Sequence, residues 1–293
     1  MNTSDIHYIV FAGGAARGVV YASALDQFKI MTNYNFDTQL KGCAGTSIGA
    51  FFASALCTNK SMESILNIAR TMNLMDLVSI DISNIFSSWS VDSGTRLHDW
   101  LRTYLGDFTF EDVKQKFGKV LKIAVSDISG CNSVIFQHTT HPTFLIAEAV
   151  YMSMSIPFLI PPNIINNKMF VDGGIMNNFP IEQFPIEYTL ALHVVWGQNE
   201  KITSIETYIT RLMYCSLKMV TETKLKHLGE EYKTRIITID AGIVVHGLNM
   251  RLGEQERNGL FMAGRNAMYA YIKKNELKYI HHQTLINTST QTE

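Results

Sequence analysis

The sequence is short of charge and of cysteine. Only 17% of its 293 residues are Asp, Glu, Lys or Arg, and 25 basic against 26 acidic side chains leave a formal net charge of -1. That balance gives a polyanion no bulk attraction, so nucleic acid is not an expected partner. The four cysteines, Cys43, Cys57, Cys131 and Cys215, include no Cys-x-x-Cys pair. They supply neither a disulfide framework nor a zinc pattern, and free thiols in a reducing compartment are expected. No acidic loop of the D-x-D-x-D-G kind is present, and nothing visible calls for a metal or a cofactor. No Lys or Arg precedes Arg17. A chain start without the basic region of a signal peptide predicts a cytoplasmic protein. Uninterrupted hydrophobic runs are also missing, because the most apolar stretch, 143–165, is broken by Glu148, Pro157, Pro161 and Pro162. It reads as a buried helix and loop rather than a bilayer span. All six prolines fall between Pro142 and Pro185, and no linker or repeat divides the chain. One domain over residues 1–280 with a polar tail at 281–293 is expected.

What the chain has is apolar surface, 46% by residue, enough to offset ordering entropy by burial. Its pattern alternates strand and helix. Residues 7–11 and 40–44 read as strands, each closed by glycine and followed by a helix (18–31 and 50–57). Two strand-turn-helix units in succession predict an α/β fold, a three-layer sandwich with a central, mostly parallel sheet flanked by helices. Helices are predicted from Ser61, over 96–105 and over 110–117, the last two stopped by Gly106 and Gly118. Residues 120–128 and 133–137 read as a strand pair joined by a hairpin turn. Strands at 168–171, 189–195 and 235–240 and helices at 202–227 and 252–274 complete the pattern. Tyr34, Lys60, Lys224, Lys226 and Arg235 are too scattered to make a phosphate site and read as solvated surface.

Three short motifs carry chemistry. Gly45-Thr46-Ser47-Ile48-Gly49 matches G-x-S-x-G between a strand and a helix, where flanking glycines permit a sharp turn that lifts a serine hydroxyl to the positive end of a helix. Ala12-Gly13-Gly14-Ala15-Ala16-Arg17-Gly18 is nearly bare of side chains and presents backbone N–H groups at a helix start, a cradle for an oxyanion or a phosphate. It is not a dinucleotide loop, since Ala15 stands where G-x-G-x-x-G needs glycine, and no Gly-Lys-Ser/Thr follows for a P-loop. Val171-Asp172-Gly173-Gly174 puts a carboxylate at the end of a short strand. The three motifs can converge only through a fold.

Together they resemble the patatin-like phospholipases, in which a glycine-rich oxyanion loop, a G-x-S-x-G serine and a later Asp-Gly-Gly/Ala aspartate make a Ser-Asp dyad. GTSIGAFFASAL resembles the family's nucleophile helix, TFEDVKQKFGKVLKIAVSDISGCNSVIF its central strands, and SMSIPFLIPPNIINNKMFVDGGIMNNFPIE its run into the aspartate and the Asn-x-Pro beyond. LGEQERNGLFMAGRNAMYAYI resembles its closing helix, so the similarity covers about residues 6–273. The resemblance implies Ser47 as nucleophile, Asp172 as base, the N–H groups of Gly13, Gly14 and Ala15 as oxyanion donors, and Arg17 as the residue steadying the loop. Gly18, Gly45, Gly49, Gly173 and Gly174 would support the turns. Ala12 and Ala15 depart from the usual residues, and a methyl at 15 disfavours a positive φ there.

The implied reaction is lipid acyl hydrolysis of the phospholipase A or lysophospholipase type. The implied partners are a phospholipid or other lipid ester and a peripheral membrane surface, with a protein activator left open. A triacylglycerol lipase, a general esterase and a catalytically silent lipid-binding protein stand as alternatives. An unperturbed aspartate is a weak base for an alcohol, so the dyad needs a dry site that raises its pKa. An ester, whose leaving group needs less protonation than an amine, is the expected substrate bond. A Ser-His-Asp triad using His193 or His246 is the competing arrangement. Finally, Ile82, Ile85, Phe86 and Trp89 follow helical spacing. Core packing is the favoured reading of that stripe, since its polar side shows Asp81 and no cation, and an interfacial lid is the alternative.

Overall fold

The computed structural model describes residues 3–195, 202–242 and 251–277. His246 and the 281–293 tail lie outside the described residues. Among the described residues eight strands form one sheet: β1 (Tyr8–Phe11), β2 (Gly42–Thr46), β3 (Val120–Asp127), β4 (Asn132–Phe136), β5 (Asn163–Ile165), β6 (Lys168–Asp172), β7 (Thr189–Val195) and β8 (Ile236–Asp240). The helices are α1 (Val19–Thr32), α2 (Ile48–Cys57), α3 (Met62–Thr71), α4 (Asn84–Ser88), α5 (Thr95–Leu105), α6 (Phe110–Phe117), α7 (Ile146–Ser153), α8 (Gly174–Asn177), α9 (Ile205–His227), α10 (Glu230–Lys233) and α11 (Glu254–Lys274). Among the described residues no helix is long and apolar enough to cross a membrane.

Strands β8, β7, β1, β2 and β3 run parallel in that spatial order. Their central members are continuous apolar or small-residue runs because both faces of a parallel sheet are covered. Side chains of β1 alternate between two cores. Ile9 and Phe11 pack with α1, α2 and α11 in the larger one, while Val10 and Ala12 meet Phe179, Ile181 and Phe184 in the smaller. Leu225, Leu228 and Tyr232 close the second layer from outside. The result is the α/β sandwich expected from the sequence, with one thick and one thin helical layer.

The arrangement that positions the site is on β3. Ala124 pairs with Thr46 of β2 on one side and Ile135 of β4 on the other, whereas Val125 pairs with Val134 of β4 and with Asp172 of β6. A residue has two edges, so β6 must occupy the same edge of β3 as β2. It runs antiparallel to β3 and meets β2 end to end. The last residue of β6, Asp172, therefore arrives next to the last residue of β2, Thr46.

Local chemistry explains the helix limits. Thr109 accepts from the Asp112 N–H at 3.1 Å while the Asp112 carboxylate accepts the Thr109 N–H at 3.0 Å, and Gly118, at φ 67°, ends α6. Ser61 caps α3 by one bond from the Ser64 N–H at 3.1 Å. Two surface readings are corrected: Tyr34 is buried and donates to the Ile6 carbonyl at 2.8 Å, and Lys224 is half-buried in a clamp described below. Core packing of the 82–89 stripe is also overturned. No residue of α4 is buried, and Ile82, Phe86 and Trp89 face solvent. Among the described residues this five-residue helix inside a loop has no second element against which to lay its apolar side.

Candidate active site

Ser47 sits between β2 and α2 as a single-residue turn. The sequence pattern suggested a five-residue turn at 45–49, but strand pairing runs to Thr46 and helix starts at Ile48. Strand and helix can be that close only because two side chains are missing. A Cβ on Gly45 would lie 2.2 Å from the Gly49 carbonyl oxygen, and one on Gly49 would lie 2.6 Å from that of Ala12. Ser47 itself takes φ 54°, ψ -128°, a conformation that favours glycine. Strain at this turn points its side chain away from both elements, at the N-terminal end of α2.

Asp172 reaches the same place from the other end of β3. It is buried, its N–H donates to the Ser155 carbonyl at 2.8 Å, and its carboxylate accepts the Gly174 N–H at 2.7 Å. Burial pushes the carboxyl pKa up to about 6, while the neighbouring Ser47 hydroxyl and the Gly174 N–H hold it from rising further. Gly173 is forced by contact, since a Cβ there would lie 2.1 Å from the Ala124 carbonyl oxygen.

The glycine loop lies against both residues. A Cβ built on Gly13 would be 3.3 Å from Ser47 Cβ and 2.3 Å from Asn178 Oδ1. Its orientation corrects one expectation: the Gly13 N–H donates to the Asn178 carbonyl at 2.9 Å and is committed to the scaffold. Among the described residues the Gly14 and Ala15 N–H groups have no acceptor. Ala15 opens the 3₁₀ turn Ala15–Gly18 at φ 48°, the left-handed backbone its methyl was expected to disfavour. The penalty is about 1 kcal/mol, small enough for the surrounding turn to hold. Arg17 is buried in this turn and its N–H donates to the Gly14 carbonyl at 3.0 Å; Gly18 packs directly on the Ile48 side chain. Tyr21 anchors the loop's entry, donating to the Ala12 carbonyl at 2.8 Å.

Two supporting residues were not singled out by sequence reasoning. Ser153, at the end of α7, accepts the Ser47 N–H at 2.8 Å and donates to the Ala124 carbonyl at 2.7 Å. It ties the serine turn to β3 between the two strand ends. Replacing Ser153 by alanine leaves a buried N–H unpaired and is expected to cost about 1–3 kcal/mol in a urea-unfolding measurement. Asn178, noted only as part of the Asn-x-Pro run, joins the glycine loop to the segment after Asp172. That segment is clamped from outside by Lys224 of α9, which donates to the Phe179 carbonyl at 3.1 Å and to Glu182 at 2.8 Å.

A narrow cavity of ≈ 20 Å³ adjoins Ser47, walled by Ile48, Leu74, Leu77, Leu97, Met154 and Leu159. Apart from Ser47 its lining is apolar, and it has room for about one water molecule. His193 stacks on Phe179 with ring centroids 5.2 Å apart, and burial pushes its pKa down to about 4. The imidazole is neutral at physiological pH.

Comparison with known proteins fits this geometry. The family model for patatin-like phospholipases matches residues 9–185. Uncharacterized protein R571 of Acanthamoeba polyphaga mimivirus is 22% identical over 302 residues, spanning 96% of this chain and 97% of that protein. The probable lipid hydrolase 463L of Invertebrate iridescent virus 6 is 31% identical over 179 residues, 59% of this chain and 61% of its own length. Among solved structures, VipD from Legionella pneumophila superposes with a TM-score of 0.68 at 15% identity, over 92% of this chain and 67% of VipD, and shows the same fold.

Proposed function

The chain belongs to the patatin-like phospholipase family, and on that premise we propose that it hydrolyses carboxylic esters of lipids through an acyl-Ser47 intermediate, with Asp172 as the base. The observation that carries the reading is geometric: the shared edge of β3 brings the buried Asp172, at the end of β6, beside the end of β2 that leads into Ser47, and burial raises its carboxyl to about 6. It is ionised at neutral pH and basic enough to take a serine proton. The Ser47 Oγ attacks the ester carbonyl carbon as its proton passes to Asp172. The oxyanion that forms is held by the Gly14 and Ala15 N–H groups at the end of α2. Such donors are typically worth about 3–4 kcal/mol each. The alkoxide then leaves with the proton, and a water molecule, deprotonated by Asp172, releases the fatty acid and restores the serine. A carboxylic ester suits this dyad because its alkoxide departs with little protonation. The reading takes residues 1–280 as one acyl hydrolase domain.

The apolar wall beside Ser47 supports a fatty-acyl substituent on the substrate. Phospholipase A or lysophospholipase activity is the form proposed, and the test must separate it from triacylglycerol hydrolysis. Incubation with a two-chain phosphatidylcholine carrying different acyl chains, and in parallel with a triacylglycerol, followed by mass identification of the released acid, does so. Fatty acid from the phospholipid is expected. Release from the triacylglycerol alone would reassign the substrate, and no release from either would leave a lipid-binding protein.

A triad through His193 is disfavoured by its stacking on Phe179 and by burial that lowers its pKa to about 4, which makes it a weak base. The His193→Gln protein is expected to keep its esterase rate within about threefold, measured on a soluble short-chain ester. A loss of several orders of magnitude would restore the triad.

A further inference from the structure

Beside the serine, one face of the molecule carries apolar side chains that are exposed among the described residues. Ile82 is 69% exposed, Phe86 91% and Trp89 55%, all on the segment 78–92, and Phe158 projects from a second segment at 52%. The two segments are joined. Ser90 bridges Phe158, and the Val91 and Asp92 N–H groups donate to the Phe158 and Leu159 carbonyls at 2.8 and 3.1 Å. Their inner sides supply Val78, Ile156, Leu159 and Ile160 to the wall of the Ser47 cavity. The exposed face and the cavity wall are thus two sides of the same pair of segments.

Backbone geometry adds an independent sign. Phe158 has φ 66°, a left-handed conformation that bulky residues rarely adopt, whereas Trp89, at φ 56°, is the left-handed C-cap of α4. Neither aromatic ring is buried in return. Strain held without burial is characteristic of ligand clamps and switch segments rather than of packing.

Charge selects the occupant. Segment 78–92 contains no Lys or Arg, its exposed charge is Asp81, Asp92 being buried, and residues 154–162 contain no charge at all. The Ser83 hydroxyl and N–H hold the Asp81 carboxyl below its usual pKa, so it stays ionised. Anionic head groups would be repelled, whereas a zwitterionic surface accepts apolar insertion without attraction between net charges. The cavity, at ≈ 20 Å³, admits an acyl chain only if its walls part, and these walls carry the exposed face.

We propose that Ile82, Phe86, Trp89 and Phe158 are a membrane-insertion face that seats the mouth of the Ser47 cavity on a zwitterionic lipid surface. The choice of a lipid occupant rests on the reaction proposed above. Binding is read by flotation with phosphatidylcholine vesicles on the Ser47→Ala protein, so that turnover does not enter. Ile82→Ser with Phe86→Ser is expected to lower partitioning by at least about tenfold. Partitioning of the parent should be insensitive to salt and should not rise with added phosphatidylserine. Phe158→Gly should also bind more weakly, yet unfold within a few degrees of the parent, because glycine relaxes the left-handed backbone as the ring is lost. Tyr208→Ser with Met219→Ser, on the exposed side of α9, should bind as the parent does. Undiminished flotation of the Ile82/Phe86 variant, binding that needs anionic lipid, or loss confined to the α9 variant would overturn the face. A protein that floats but, with Ser47 intact, hydrolyses no ester refutes the reaction and leaves the face standing. One that hydrolyses a soluble ester but does not float refutes the face.

Discussion

Replacement of Ser47 by alanine is expected to lower fatty-acid release by at least about 10³-fold, the scale seen when a serine nucleophile is removed and oxyanion donors remain. Initial rates on a phospholipid and on a soluble ester, each followed by mass detection of the acid, measure it. The variant should also lose labelling by a fluorophosphonate probe. Stability gives the internal control. The backbone at 47 is held at φ 54°, ψ -128° whatever side chain it carries. Alanine inherits that strain and should unfold close to the parent, while Ser47→Gly, free of the penalty, should be the more stable by about 1 kcal/mol. An inactive Ser47→Gly protein that is firmer than its parent would separate lost chemistry from lost structure. Retention of more than a few per cent of the rate in either variant would remove Ser47 as nucleophile.

The strain and close contacts at Ser47 also explain why the site could be seen in the sequence. Gly45, Gly49 and Gly173 are fixed by approaches of 2.1–2.6 Å that any Cβ would block, so the chain had to write glycine there. Strands and helices were legible for a similar reason: α6 carries its own cap at Thr109 and its own stop at Gly118, both local. What could not be read depends on distant partners. Nothing local says that the Gly13 N–H is taken by the carbonyl of Asn178, or that Ser153 receives the N–H of Ser47. The end-to-end meeting of β2 and β6 on one edge of β3 is likewise a property of register rather than composition. The 82–89 stripe misled because helical spacing of apolar residues records amphipathicity and not which side faces water. Its exposure became visible only in the structure, where Ile82, Phe86 and Trp89 face solvent.

Asp172→Asn is expected to have opposite effects on activity and stability. An aspartate has an unfolded pKa of about 3.9, and burial lifts the folded value to about 6. The folded state therefore binds this proton more tightly than the unfolded chain. Its contribution is fully present below about pH 4, is lost as pH rises through about 6, and above that the buried charge weakens the fold by about 3 kcal/mol. Asparagine is never charged and keeps an oxygen to accept the Gly174 N–H, a bond of 2.7 Å in the parent. Urea unfolding at pH 8 should therefore find the variant more stable by about 1–3 kcal/mol, with the difference closing toward pH 4. Turnover should move the other way. The amide cannot take the serine proton, so the rate should fall by at least about 10³-fold, and the parent's kcat/KM should rise with pH to a plateau above about 6. A variant that is active, or one that is less stable at pH 8, would mean that burial does not set the basicity of Asp172. The dyad would then lack its base. Both measurements probe one physical fact, a carboxylate held in too little water, which supplies the driving force for proton transfer and is paid for in stability.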